Sequence, residues 1–308
     1  MGLTDGFNQA GCERPDQVAA IRGPRRDRRV NGSREGKTMA QQDPLVLVTR
    51  VGAVGVLTLN RPQARNALTP ELMDELQHAV QKLDDDESIK ALLLTGAGSA
   101  FSAGADISFM DRLRRMPQQQ IKDQVYKSFQ GATRALRLCA KPVVAAVNGP
   151  AFGAGCELAV ACDFRIVGNS AVFCENWIEM GAIPPLGGLF LLPRLIGLER
   201  ASDMVMRATR IGGPRAVEIG LATLSVEDAM LQQTAMKFAE DLASKPAAAM
   251  AAIKQGLRRS LDGHLTSEWE FYANVQAILL AGPDFAENVD RINRQIRGDG
   301  PREPRRQP

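Results

Sequence analysis

The chain has 308 residues and a mass of 33.3 kDa, and 38 basic against 35 acidic side chains give it a net charge of +3. Hydrophobic residues at 44% and charged residues at 24% are ordinary for a globular protein, which excludes collagen, coiled coil and wholesale disorder. The length allows one large domain or two small ones. The charge excess lies entirely in residues 1–38, which hold eight basic and five acidic side chains, so residues 39–308 are neutral.

The two ends of the chain differ in composition from the rest. Residues 1–38 are rich in Gly, Arg, Asn and Asp and have no helical or strand period, which predicts a disordered basic tail. This segment is interpreted as a solvated tail or as translated sequence upstream of Met39, and RNA binding by its arginine cluster is the alternative. Residues 298–308, rich in Pro and Arg, are predicted to be a second disordered tail.

Several classes of protein are disfavoured by what the sequence lacks. The most apolar stretch, residues 142–162, is interrupted by Asn148, Pro150 and Glu157 and predicts no membrane span. The N-terminus has no apolar signal region, and the five cysteines are odd in number without CxxC spacing, so we expect a cytoplasmic protein with reduced thiols. The two histidines, His78 and His264, have no nearby ligand partner, so neither a metal site nor a Ser-His-Asp triad is expected.

The periodicity predicts strands first and helices later. Apolar and β-branched runs predict strands at 45–51, 54–60, 89–95, 142–147, 164–167 and 171–174. Helices are predicted from Thr69, a helix cap, and over 118–139. Beyond Pro185 the pattern is helical, at about 187–197, 199–208, 214–220, 227–243, 247–260, 264–281 and 284–297. We therefore expect an α/β core over 39–240 and a helical region over 241–297.

Two loops made of small residues share one design. The first loop, residues 95–107, and the second loop, residues 148–157, each leave a buried strand and enter a helix. Small side chains let a ligand approach the backbone, and a helix start offers unpaired N–H groups with a positive dipole end. The loops therefore predict an oxyanion or anion site. A dinucleotide motif is disfavoured, because Phe101 stands where its third glycine belongs.

The exact residues of these segments carry a family resemblance. The motifs, in order, are Asn60-Arg61-Pro62 with Asn66-Ala67-Leu68, then 101–107, 142–149, 153–158 and Cys162-Asp163. In this order and spacing the chain resembles the crotonase, or enoyl-CoA hydratase/isomerase, superfamily from about Leu45 to Arg297. The resemblance implies a spiral of ββα repeats with a C-terminal helical trimerisation region. It also implies a homotrimer or homohexamer, an acyl-CoA thioester as ligand, and no cofactor or metal beyond the coenzyme A of that thioester.

The resemblance assigns the oxyanion hole to two backbone N–H groups. By motif position these belong to Ala105 and Ala154. At the position of Ala154 the family usually has glycine. Alanine keeps the N–H, so the hole is expected to survive. Such a donor typically contributes roughly 3–4 kcal/mol to the transition state of a thioester enolate.

The same resemblance assigns the coenzyme A contacts. The backbone around Ala103, Asp106 and Ile107 matches the segment that holds the adenine, and Arg65 matches a basic residue near the phosphates. A solvated loop charge is the alternative for Arg65.

The proton chemistry departs from the family pattern. Family hydratases use two glutamates. The first matches Glu157, which would position the water or move its proton, and a buried structural hydrogen bond is its alternative role. At the position of the second glutamate this chain has Trp177. An indole there can line an acyl pocket or donate one hydrogen bond but cannot exchange a proton. A tryptophan at this position resembles the dehalogenase branch of the family. That branch has a nucleophilic aspartate eight residues later, where this chain has Pro185, so dehalogenation is disfavoured. Glu179 and Glu175 are candidates to supply the missing second carboxylate, with Glu179 slightly preferred. Salt bridges at the surface or at subunit contacts are the favoured interpretation of both.

Four functional hypotheses remain open from the sequence. The main one is hydration of a 2-enoyl-CoA by an enzyme of this family. Another reaction on the same scaffold is the first alternative: enoyl-CoA isomerisation, C–C lysis or thioester hydrolysis. The others are a non-catalytic acyl-CoA-binding protein, since Trp177 replaces the second glutamate, and RNA binding by the tail, although no nucleic-acid partner is expected.

Overall fold

A computed structural model describes residues 43–261, 274–276, 278–280 and 282–297. The predicted tails, 1–38 and 298–308, and part of the helix predicted at 264–281 lie outside these residues. The strands are β1 Val46–Val51, β2 Val54–Leu59, β3 Ala91–Gly96, β4 Val143–Val147, β5 Pro150–Phe152, β6 Phe164–Gly168, β7 Val172–Cys174, β8 Ile211–Gly212 and β9 Leu224–Val226. The helices are α1 Pro70–Asp85, α2 Ile107–Leu113, α3 Gln118–Gln124, α4 Gln130–Leu138, α5 Ala154–Ala161, α6 Gly188–Ile196, α7 Leu198–Met206, α8 Gly213–Glu218, α9 Leu231–Ala243, α10 Ala247–Arg259 and α11 Pro283–Arg297.

The strands form two sheets. The larger has the order β1-β2-β3-β4-β6-β9, in which only the β1–β2 pair is antiparallel, and the smaller has the order β5-β7-β8. Parallel neighbours put the carboxyl ends of β3 and β4 at the same edge, with Thr95 paired to Ala146. The two small-residue loops follow these two strands, so the sheet brings them side by side.

Helices cover both faces of the larger sheet. Thr69 caps α1 by accepting from the N–H of Leu72 at 3.3 Å, and the predicted stripe of α1, including Leu76 and Val80, is buried. Leu92 and Leu94 of β3 face the α1 side, whereas the alternate Leu93 packs in the cluster that contains α9. Burial on both faces explains why β3 and β4 read as continuous apolar runs.

The structure differs from the expected elements in the second half of the chain. The region beyond Pro185 is not purely helical, because β8 and β9 lie within it. β9 pairs parallel with β6, and three residues are too few for a strand period to appear in the sequence. The second loop enters a helix as expected, but β5 lies within the loop before α5 begins. The first loop also enters a helix as expected, since α2 begins at Ile107, although the sequence indicated no end for that helix.

The long helix expected over 118–139 is present but interrupted. α3 and α4 are joined by a π-helical turn at Val125–Phe129, with helical dihedrals maintained through its flanking residues. Among the described residues, no helix combines the length and the apolar character needed to cross a membrane.

Candidate functional site

The two small-residue loops pair directly with each other. Ser102 of the first loop donates its N–H to the carbonyl of Pro150, and the N–H of Phe152 donates back to Ser102, each at 3.0 Å. Gly104 lies against the second loop, where a Cβ would come within 2.6 Å of the Phe152 carbonyl oxygen and 3.9 Å of the Ala154 nitrogen. The close approach, together with a φ of +94°, requires glycine at position 104.

This pairing places the two predicted oxyanion donors near each other. Ala105 bridges to Leu68, but the bonds of that bridge are made by its neighbours: Leu68 donates to the Gly104 carbonyl and Asp106 donates to the Leu68 carbonyl. The N–H of Ala105 therefore points away from Leu68. Ala154 is the first residue of α5, and its N–H is one of those that a helix start leaves without an intrahelical partner.

Two asparagines hold the first loop in shape. Asn66 is fully buried; its side chain accepts from the N–H of Arg61 at 2.9 Å and donates to the carbonyls of Ala97 and Ala100 at 2.9 and 2.8 Å. Asn148 donates to the carbonyls of Gly96 and Gly98, both at 2.9 Å. Both belong to motifs that carried the resemblance, but their supporting role depends on partners 31 to 52 residues away.

Glu157 lies in the first turn of α5 and is 1% exposed. Its Oε1 accepts from the backbone N–H groups of Leu186 and Gly188 at 2.7 and 2.9 Å, and its Oε2 accepts from Nε1 of Trp177 at 3.2 Å. Burial raises the pKa of Glu157 to about 7, and the three donors oppose that rise. A carboxylate has about four acceptor positions, so roughly one remains for a further donor.

Trp177 connects Glu157 to a large apolar cavity. It lies in a short 3₁₀ helix, Asn176–Met180, between β7 and α6, and is buried. Its indole N–H faces Glu157, and its ring lines a cavity of about 800 Å³ that Ala105 also borders. Trp177 therefore both lines a pocket and donates one hydrogen bond, the two roles that the sequence suggested as alternatives.

The two replacement candidates for the second glutamate have different environments. Glu179 is exposed. Glu175 is 0% exposed and lies beside the Cys156 thiol, and in the described part of the chain neither of its oxygens has a nitrogen or oxygen hydrogen-bond partner. Burial first, and then the nearby Glu157 carboxylate, hold the pKa of Glu175 well above its ordinary value. The expectation of a surface or subunit salt bridge was wrong for Glu175, because its side chain lies in the interior.

The predicted coenzyme A contacts lie together along the first loop. Arg65 is exposed, in a left-handed conformation with φ 50°, and its carbonyl accepts from the N–H of Ala103 at 2.9 Å. Asp106 caps α2 by accepting from the N–H of Ser108, and pairs with Arg61 at 3.0 Å. Ile107 is 75% exposed. Arg61 was not singled out from the sequence, because its partner is 45 residues away.

Comparison with known proteins identifies the family. A family model for enoyl-CoA hydratase/isomerase matches residues 49–291, and the chain belongs to this family. It is 36% identical over 217 residues to a short-chain-enoyl-CoA hydratase of Clostridium acetobutylicum, a match that covers 70% of this chain and 82% of the relative. It is 33% identical over 236 residues to a 1,2-epoxyphenylacetyl-CoA isomerase of Escherichia coli, covering 77% and 90%.

A solved structure gives the same architecture. The crystal structure of an enoyl-CoA hydratase from Bacillus anthracis superimposes with a TM-score of 0.77 and 29% sequence identity, covering 82% of this chain and 96% of that one. The crotonase fold expected from the sequence is therefore confirmed.

Proposed function

We propose that this protein hydrates a 2-enoyl-CoA. The observation that carries the proposal is Glu157, a buried carboxyl group with a pKa of about 7 in the same helix turn as the Ala154 N–H. A group with a pKa near the working pH exchanges protons efficiently in both directions. The family relationship supplies the class of substrate.

The proposed mechanism uses one carboxylate. The thioester oxygen accepts from the N–H groups of Ala105 and Ala154, which stabilise the enolate that forms when water attacks the β-carbon. The Glu157 carboxylate takes a proton from the attacking water and then returns a proton to the α-carbon. The elements of water are thereby added across the double bond, and Glu157 ends as it began.

Coenzyme A is proposed to lie along the first loop. The backbone of Ala103, Asp106 and Ile107 would hold the adenine, and the exposed Arg65 would lie near the phosphates. The proposed chemistry needs no cofactor beyond the coenzyme A of the substrate.

Double-bond isomerisation is the second candidate, and Trp177 favours it. Isomerisation moves one proton between two carbons and can be served by a single carboxylate, whereas the family's hydratases have a second glutamate where Trp177 stands.

The experiment compares wild type with Glu157→Gln on crotonyl-CoA and on longer 2- and 3-enoyl-CoAs, with products resolved by mass. Hydration adds the mass of water and isomerisation leaves the mass unchanged. We expect hydration by the wild type and a loss of at least ~100-fold in Glu157→Gln. The matched control is Glu179→Gln, which changes an exposed carboxylate two residues from Trp177. Hydration that survives Glu157→Gln would remove Glu157 from the mechanism.

We also propose a homotrimer or homohexamer, assembled through the region 241–297 and acting in the cytoplasm. Apolar side chains on the described helices of this region support assembly, since Ile253, Leu257 and Ile278 are 57%, 67% and 72% exposed.

A further inference from the structure

The cavity beside Trp177 is mostly apolar in its described lining. Its volume is about 800 Å³. Among the described residues that line it, none has a charged side chain, and the polar groups are the amide of Gln118 and the indole N–H, which donates to Glu157. The lining consists of Ala105, Phe109, Met110, Leu113, Gln118, Ile121, Val125, Phe129, Trp177, Gly181, Ala182, Ile183 and Pro185.

The cavity lies along α2, and Ala105, the proposed oxyanion donor, is part of its lining. Ala105 precedes α2 by two residues, and Phe109 and Leu113, one turn apart on that helix, both line the wall. A helix of seven residues spans about 10 Å. Gln118, at the start of α3, is exposed, so the cavity reaches the surface beside it.

The π-helical turn forms the opposite wall. Val125 and Phe129 are its first and last residues, and both line the cavity. Phe129 stacks on Phe109 with ring centroids 5.2 Å apart and an interplanar angle of 10°. Single π-turns inside helices are frequent at functional sites, and here the turn sets which side chains of the 118–138 run face the cavity.

We propose that this cavity binds the hydrocarbon tail of a medium-chain acyl group, so that the substrate class is medium-chain 2-enoyl-CoA. This inference rests on the proposed function, because it places the thioester at Ala105. An extended chain of roughly eight carbons is about as long as α2, along which the cavity lies. A crotonyl group would leave most of the apolar wall without a contact.

The test measures binding rather than turnover. Isothermal titration calorimetry of the full chain with butyryl-CoA and octanoyl-CoA, which carry no double bond to hydrate, compares the two tails directly. Each methylene that enters the cavity should strengthen binding up to about fourfold, so we expect at least a ~10-fold preference for octanoyl-CoA. Equal affinities would overturn the medium-chain inference alone. Failure to bind either thioester would overturn the proposed function as well.

A substitution in the wall locates the tail. Val125→Phe narrows the cavity and should remove most of the octanoyl preference while leaving butyryl-CoA affinity within about twofold. Lys127→Phe is the matched control, since Lys127 is exposed on the same π-turn and does not line the cavity. A Val125→Phe protein that keeps the full preference would contradict the placement of the tail. Circular dichroism checks that the Val125→Phe protein folds. If it does not fold, the comparison of octanoyl-CoA with butyryl-CoA on the wild type still tests the medium-chain inference.

Discussion

At the scale of single residues, the proposed chemistry depends on the hydrogen bonds that Glu157 accepts. Three N–H donors stabilise its carboxylate, and one of them is the Trp177 indole. In the proposed mechanism the carboxylate must be ionised to accept a proton from water. Turnover should therefore rise with pH through a midpoint near the Glu157 pKa of about 7.

Trp177→Phe should move that midpoint. Loss of the indole donor removes one hydrogen bond to the charged form, so the pKa of Glu157 should rise further and the acid limb of the kcat/KM profile should shift to higher pH. The measurement is the pH dependence of hydration for wild type, Trp177→Phe and the control Glu179→Gln. An unshifted midpoint would mean that Glu157 does not govern the profile.

The buried Glu175 should make the stability of the folded protein depend on pH. Its pKa is well above the ordinary value, so the native chain keeps a proton that the unfolded chain releases above pH 4.5. Stability contributed by that proton is present below this pH and is lost as the pH rises through the folded pKa. Glu175→Gln, neutral and isosteric, should raise the Tm at about pH 8 and change it little at about pH 5.

The measurement for Glu175→Gln is thermal unfolding across this pH range, with Glu179→Gln as the exposed control. Each kcal/mol recovered should raise the Tm by roughly 2–4 °C. A Tm that falls at high pH in Glu175→Gln would mean that Glu175 is ionised and paired in the native protein.

At the scale of elements, the site depends on the contact between the two loops. Gly104→Ala places a Cβ within 2.6 Å of the Phe152 carbonyl oxygen, and the loops must separate to admit it. Because Ala105 follows directly and Ala154 faces the same contact, the two N–H groups should lose their alignment. We expect kcat to fall by about 10²–10³, the cost of one oxyanion donor.

Gly52→Ala is the control for this substitution. Gly52 also has a positive φ, at 56°, but has open space around its Cβ position and lies in the β1–β2 turn. Both variants carry the backbone strain of a left-handed alanine, so the Tm should fall in each. Only Gly104→Ala should lose kcat, and a comparable loss in Gly52→Ala would assign the effect to strain.

At the scale of the whole molecule, the proposed assembly makes a prediction about the C-terminal helices. Leu257 of α10 is 67% exposed, and Leu257→Asp places a charge on the surface proposed to contact another copy. Sedimentation velocity should show a trimer or hexamer for wild type and dissociation for Leu257→Asp. Gln255→Asp, exposed two residues away on the same helix, should leave the assembly intact. A monomeric wild type would contradict the proposed assembly.

Much of this architecture follows from local patterns. The burial of β3 and β4 on both faces is encoded as continuous apolar runs, and α1 is encoded by its cap and stripe. The strands β5, β8 and β9 were missed because two or three residues cannot establish a period, and each exists only through its partner strand. The same limit applies to Asn66, whose partners lie on a loop more than 30 residues away.

The sequence by itself determined the family, the crotonase fold, the two small-residue loops and the absence of a glutamate at position 177, because each is written in residue identity and order. Only the tertiary structure decided what surrounds the carboxyl groups. It turned Trp177 toward Glu157, buried Glu175 and left Glu179 exposed. These outcomes depend on the direction of side chains across a short 3₁₀ turn. Trp177 meets Glu157 20 residues away, and Glu157 in turn accepts from backbone N–H groups 29 and 31 residues away, so these contacts form only when the chain folds.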